Sequence, residues 1–161
     1  MTARFTTYDS PLGTLLLTGT ADGALASLTV PGQTGAPATD GLARDDSAFR
    51  EARAQLDAYF AGELKEFRLE FATPGTEFRR RVWEALETIP YGATTTYGEL
   101  AARIGASRAA VRAVGGAVGA NPLLIVRPCH RVIGADGTLT GYAGGLERKR
   151  QLLELEGALP E

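Results

Sequence analysis

The spacing of apolar residues changes at Pro74-Gly75, and this change constrains the possible folds more than any other feature of the chain. Upstream, short apolar runs such as Gly13–Thr18 are broken by turn residues, the pattern of strands. Downstream, apolar side chains recur three and four residues apart, which is the helical period. Pro-Gly suits neither element and separates them. The expected fold class is α+β: a small N-terminal mixed α/β domain of sheet plus helix over 1–73. A mainly helical C-terminal domain with a helix-turn-helix follows over 74–161.

In the first part, strands are expected at 4–8, 13–18 and 25–30, with Asp22-Gly23 turning the chain between the last two. The Gly-, Pro- and Thr-rich stretch 31–46 reads as a loop, and 67–71 as one more strand. Between them, Phe49, Ala52, Leu56 and Phe60 share one face of a helix over 47–61, with Ser47 as its cap. In the second part, Thr76 caps a helix to about 89, stopped by Pro90-Tyr91-Gly92. A short helix at 97–104, the Gly105 turn and a helix at 107–118 capped by Ser107 form the helix-turn-helix pattern. After the apolar run 123–126, a turn-containing excursion covers 132–139. A last helix at 146–156 ends at Gly157.

Several classes of protein are disfavoured by composition. One cysteine excludes an internal disulfide, and one cysteine with one histidine leaves no ordinary zinc set, so neither metal nor cofactor is expected. No apolar run approaches the ~20 residues of a membrane-spanning helix. Met1-Thr2-Ala3-Arg4-Phe5 has no secretory pattern, so the expected compartment is the cytoplasm. The net charge of −2 is unevenly spread. Between 99 and 131, Arg103, Arg108, Arg112, Arg127 and Arg131 face a single acid, Glu99. That is a basic face adequate for modest phosphate binding, and equally a solvated surface.

Chemistry is concentrated in Pro128-Cys129-His130-Arg131-Val132, where the only cysteine and the only histidine are neighbours. A free thiol is only about 3% ionised at pH 7, so a nearby imidazole or cation would raise its reactivity. Adjacent side chains of an extended segment point apart, so a direct Cys129–His130 bond would need a bent backbone at Pro128, or a bridging water. The alternative is a buried cysteine acting as a small hydrophobe. Glu156, in the last turn of a helix whose dipole disfavours it, is either a tolerated surface residue or the group that orients His130.

The Cys129 pentapeptide resembles the active-site motif of the O6-alkylguanine-DNA alkyltransferases (methylated-DNA–protein-cysteine methyltransferases). The resemblance extends in order over about 76–157. It includes Ile89-Pro90-Tyr91-Gly92, Thr96-Tyr97-Gly98-Glu99-Leu100-Ala101, Arg112-Ala113-Val114-Gly115-Gly116-Ala117, Asn121-Pro122, Gly141-Tyr142-Ala143-Gly144-Gly145 and Leu155-Glu156-Gly157. The first 70 residues are similar only in general pattern.

The resemblance implies a monomer that binds double-stranded DNA through the minor groove. It flips O6-alkylguanine out of the stack and moves the alkyl group once, irreversibly, to Cys129. Activity on O4-alkylthymine stays open. The implied catalytic set is Cys129 as nucleophile, His130 as base through a water, Glu156 holding His130, and Asn121 buttressing the segment. Tyr97 would donate a proton to the base, and Arg112 would fill the gap in the duplex. Ser107, Ala113, Gly115, Arg131, Val132, Tyr142, Ala143 and Gly144 complete the implied DNA and substrate contacts. The small residues Gly115, Gly116, Ala117 and Ala120 serve either close approach to DNA or close helix packing.

Two positions depart from the family pattern. Arg127 stands where an apolar residue is common and could touch a phosphate, lower the Cys129 pKa or reach solvent. Ala143 replaces a serine found in some members. A helix-turn-helix protein without chemistry and a cysteine hydrolase are the competing functions.

Overall fold

The computed structural model describes residues 3–158. Met1 and Thr2, the first residues of the Met1–Phe5 stretch discussed above, and residues 159–161 lie outside the described residues. The chain forms two compact units. The first runs to Thr73 and takes in Pro122–Leu124, and the second holds Pro74–Asn121 and the chain from Ile125 onward.

The first unit is a four-stranded sheet, ordered β3-β2-β1-β4, with one helix. Strand β1 (Arg4–Ser10) pairs antiparallel with β2 (Gly13–Gly19) from Arg4↔Gly19 to Ser10↔Gly13, and β2 pairs antiparallel with β3 (Leu25–Thr29). Leu15, Leu17, Leu25 and Leu28 are fully buried on the sheet. Pro122–Leu124 lies against β3: the Leu28 N–H donates to the Pro122 carbonyl (2.9 Å) and the Leu124 N–H to the Leu28 carbonyl (3.1 Å).

Three expectations change here. The stretch 31–46 is not all loop, because β4 (Ala43–Arg44) pairs parallel with β1. The segment 67–71 is not a strand. Only Phe71 makes a bridge, to Leu25, while the Gln55 side-chain amide takes both backbone groups of Arg68 (2.9 and 3.0 Å) that a neighbouring strand would otherwise use. Ser47 is not the helix cap. Asp45 accepts from the Ala48 N–H (3.1 Å) and opens a 3-10 turn over Asp46–Phe49 that leads into α1 (Arg50–Phe60). An ionised carboxylate accepts from two donors at once, and Asp45 also takes the Ser47 hydroxyl (2.8 Å).

In the second unit Thr76 does cap α2 (Glu77–Leu86), accepting from the Arg79 N–H at 3.1 Å. Strand β5 (Thr95–Thr96) leads into α3 (Tyr97–Arg103), which opens with a reciprocal capping box between Thr96 and Glu99. Gly105, at φ 73°, provides the left-handed turn that ends α3. Helix α4 (Val111–Gly119) begins later than expected. Ser107 makes no side-chain cap, and a 3-10 turn over Arg108–Ala110 comes first. Helices α2, α3 and α4 pack on one another, and Trp83 ties the first to the last by donating its indole N–H to the Ala117 carbonyl (2.9 Å). Gly75 lies flat on that indole, where a Cβ would fall 2.9 Å from ring carbons.

Strand β6 (Val132–Ile133) pairs parallel with β5, in register Thr95↔Val132. This two-residue ladder sets the Cys129 segment beside the start of α3. Helix α5 (Leu146–Leu155) closes the unit. Its end is a double-bonded glycine cap: Gly157 at φ 70° donates to the Glu154 carbonyl (3.0 Å), and Ala158 to that of Leu153 (2.9 Å).

Candidate active site

The segment from Asn121 to Ile133 is buried at every residue but Pro122, and its backbone is bent in two places. Ile125 has φ 71°, an unfavourable conformation for a β-branched residue, held here by near-complete burial. Pro128 (φ −77°, ψ 62°) is the centre of an inverse γ-turn, closed by the Cys129 N–H on the Arg127 carbonyl at 2.7 Å. Cys129–Arg131 then forms a 3-10 turn. The segment is therefore not extended.

His130 is fully buried. Its Nε2 lies 2.7 Å from Oε2 of Glu156, the C-terminal cap of α5. The same carboxylate accepts two bonds from Arg131, Nε to Oε1 (2.8 Å) and Nη2 to Oε2 (3.0 Å). Arg131 also donates Nη1 to the Ile89 carbonyl (2.5 Å), and its guanidinium lies over the Tyr91 ring. The Tyr91 hydroxyl bonds the Leu155 carbonyl (3.3 Å), so Pro90-Tyr91-Gly92 supports the end of α5.

A carboxylate bound to arginine only accepts, so the imidazole proton sits on Nε2. Nδ1 is then the basic lone pair, and it is buried with no hydrogen-bond partner among the described residues. Burial holds the His130 pKa below its ordinary value, opposed by the bond to Glu156, and keeps the ring neutral. A neutral imidazole with a free basic nitrogen is competent to take a proton.

Cys129 is buried, and desolvation pushes its thiol up to about 11. Opposing this are a hydrogen bond from the Asn121 side chain, the charge of Lys149, a backbone hydrogen bond at Cys129 and the charge of Arg127. Lys149 escaped the sequence reading. It sits in the charge run Glu147-Arg148-Lys149-Arg150 and reads as solvated, yet it is fully buried. Its Nζ donates to the Val132 carbonyl (2.6 Å) and the Thr140 carbonyl (3.0 Å), and burial lowers its pKa to about 8. A signal was present, since Lys149, Leu152, Leu153 and Glu156 share one helical face.

Two family models match the chain. The 6-O-methylguanine DNA methyltransferase DNA binding domain matches residues 77–158, and the ribonuclease-like domain of the same family matches residues 3–73. The chain belongs to this family. A Mycolicibacterium paratuberculosis methylated-DNA–protein-cysteine methyltransferase is 57% identical over 152 residues, covering 94% of this chain and 91% of the relative. One from Methanosarcina acetivorans is 50% identical over 151 residues, covering 94% and 96%. The crystal structure of Mycobacterium tuberculosis OGT in complex with DNA superposes with TM-score 0.88 at 52% identity, covering 98% of this chain and 94% of that one. Repair by direct reversal, with the alkyl group of O6-alkylguanine passing to a cysteine, is the activity of this alkyltransferase family member.

The remaining residues singled out by the family motifs fall into two groups. Tyr97 opens α3, and its hydroxyl lies 3.0 Å from Thr140 Oγ1. Thr140, a second residue the sequence reading missed, adjoins the loop carrying Tyr142, Ala143 and Gly144. That loop turns through a Gly145 N–H to Tyr142 carbonyl bond (2.9 Å) and exposes Ala143. Ser107 is exposed ahead of the 3-10 turn that precedes α4, and Arg112 and Ala113 are exposed at the start of α4. A Cβ on Gly116 would meet nothing within 4 Å, and one on Gly115 would make only ordinary contact with the Tyr97 ring. Intramolecular packing therefore does not demand glycine at either position. Among the described residues, no cluster of three His, Cys, Asp or Glu side chains could hold a metal, and no helix is long and apolar enough to cross a membrane.

Proposed function

We propose that the protein repairs O6-alkylguanine in duplex DNA with Cys129 as acceptor, His130 as base and Glu156 as the residue that holds it. The observation that carries the reading is the His130 ring, buried beside the only cysteine with Nε2 fixed by Glu156 and Nδ1 unpartnered.

In this mechanism the exposed start of α4 enters the minor groove, the lesion swings out, and Arg112 fills the gap. Nδ1 of His130 takes the thiol proton through a water. The sulfur attacks the alkyl carbon, the S–C bond forms, and the C–O6 bond breaks with its electron pair leaving on guanine. Tyr97 donates a hydrogen bond to the purine as charge develops there. Asn121 steadies the sulfur, while Gly115 and Gly116 let α4 approach the backbone of DNA. Ser107, Ala113, Arg131, Val132, Tyr142, Ala143 and Gly144 shape the surrounding surface. The thioether is stable to water, so each molecule reacts once. The protein works in this reading as a cytoplasmic monomer, and O4-alkylthymine is a second substrate to be tested.

Intact-protein mass spectrometry after mixing with excess O6-methylguanine duplex tests the reading. One methyl gain mapped to Cys129, absent with undamaged duplex and absent in Cys129→Ala, is the expected result. Tight binding of the lesion duplex without mass gain would leave a binding protein instead, and turnover of an ester without DNA would point to a hydrolase.

A further inference from the structure

The surroundings of Arg127 give it a specific role. The side chain is buried, with 5% of its surface exposed, so it neither reaches solvent nor is available as an open phosphate ligand. The guanidinium lies over the Trp83 ring at 5.0 Å. Its Nε donates to Glu87 Oε2 (3.2 Å), and its Nη1 donates to Asn121 Oδ1 (3.3 Å). Trp83 is itself fixed by its bond to Ala117, so the cation rests on an immobile platform.

The orientation of Asn121 follows from two partners of opposite kind. A guanidinium only donates, so the amide oxygen must face Arg127 Nη1. The Arg127 main-chain carbonyl only accepts, and it takes a bond from Asn121 Nδ2 (3.1 Å). Both contacts require the same amide orientation. The NH2 group so oriented is the only part of the amide that can donate to the Cys129 sulfur, and a hydrogen bond from the Asn121 side chain lowers the thiol pKa. With an apolar side chain at 127 the amide oxygen would lose this anchor, leaving Asn121 held from its NH2 side alone and less firmly set against the sulfur.

We propose that Arg127 is a positioning residue for alkyl transfer, which locks Asn121 with its NH2 group turned to Cys129 and so favours the thiolate. The proposal rests on Cys129 being the acceptor. Lys149 from α5 is the other charge that favours the thiolate, Glu87 pairs with the Arg127 guanidinium, and the buried His130–Glu156–Arg131 cluster begins at the next residue; Arg127 adds to these without replacing any. No further reactant enters the chemistry.

The test reads thiolate formation directly, by absorbance near 240 nm over a pH titration with Cys129→Ser as blank. The difference against Cys129→Ser separates the lone thiol from the five tyrosines, which also absorb there when ionised, and it needs no DNA. Arg127→Met should raise the ionisation midpoint by about one pH unit and slow methyl transfer about tenfold at neutral pH, with the high-pH rate retained. Arg127→Lys, still a cationic donor, should recover most of both. In an Asn121→Ala background the Arg127→Met shift should shrink to less than half.

An unmoved midpoint, or a shift undiminished without Asn121, would overturn the proposal. If Arg127→Met does not fold, NMR of the unmodified protein decides. The Asn121 side-chain NH2 should be slow to exchange and should move with the Cys129 titration, and an averaged or unresponsive amide would equally overturn it. Because the midpoint is read without substrate, failed methyl transfer with the expected shifts would overturn the repair mechanism while leaving the Arg127–Asn121 hold on the thiol in place.

Discussion

Oε2 of Glu156 lies 2.7 Å from Nε2 of His130 while the same carboxylate holds Arg131 through two bonds, so one buried acid fixes both residues that follow Cys129. All three donors point at a group that must be an ionised acceptor.

Glu156→Gln keeps the shape and replaces an acceptor with a donor. At least one of the three donors then meets an N–H, and the arginine loses its counter-charge in the interior. Removing one partner of a buried pair typically costs about 3–5 kcal/mol. Urea unfolding should show a loss of this order, and the surviving folded protein should transfer methyl at least tenfold more slowly. Unchanged stability would mean that Glu156 is not ionised in this cluster.

Lys149 gives a stability signature with a definite sign. Its folded pKa, about 8, lies below the ordinary value of 10.5, so the native state binds fewer protons between these limits. Burying the charged form destabilises the protein below pH 8, and stability should rise as pH climbs from about 8 to 10.5, by a few kcal/mol at most. Comparing Cys129→Ala with Cys129→Ala/Lys149→Met isolates the effect from the thiol. The rise should be present in the first and absent in the second. In the native-cysteine background, Lys149→Met should also raise the thiol midpoint, since the lysine charge favours the thiolate.

Tyr97→Phe removes the hydroxyl next to Thr140 and little else. The loss of a half-exposed hydrogen bond should change stability by less than about 1 kcal/mol. If the phenol assists the departing guanine, the single-turnover rate on duplex should fall by about 10²-fold or more. A rate within threefold of the unmodified protein would remove Tyr97 from the chemistry.

Gly116→Ala should separate stability from binding. An exposed glycine inside a helix costs about 0.5–1 kcal/mol relative to alanine, and open space surrounds this position, so the variant should be more stable by about that amount. If the bare helix face is needed against DNA, the same variant should bind duplex several-fold more weakly. Tighter folding with unchanged binding would assign the glycine no part in DNA contact.

Arg112→Ala should discriminate between substrates. The exposed arginine is expected to act only when a base leaves a duplex, so repair of duplex DNA should slow while the slow reaction with free O6-alkylguanine base persists. Equal loss on both substrates would place Arg112 in the chemistry itself.

Much of this molecule is written in local patterns. The change of period at Pro74-Gly75, the Thr76 cap, the Gly105 turn and the Gly157 terminus each follow from the conformational preference of one or two residues, and the structure keeps them. Segments whose backbone had competing partners were less legible. Residues 67–71 have strand-forming side chains, but Gln55 supplies the hydrogen bonds from across the unit. Asp45 outcompetes Ser47 for the helix start because a carboxylate accepts from two donors at once.

The site divides in the same way. Cys129, His130 and Glu156 stand out in sequence through an unusual pairing and an ill-placed acid, whereas Lys149 and Arg127 carry charges that a one-dimensional pattern assigns to water. Whether a charged side chain is solvated or buried depends on which distant groups can compensate it. For Arg127 these are Trp83, Glu87 and Asn121, and for Lys149 the carbonyls of Val132 and Thr140. The sequence alone marked out the candidate nucleophile and most of the order of elements, because both rest on local chemistry. Only the tertiary structure decided which charges surround the sulfur, because their burial is balanced by partners brought together from separate helices and loops.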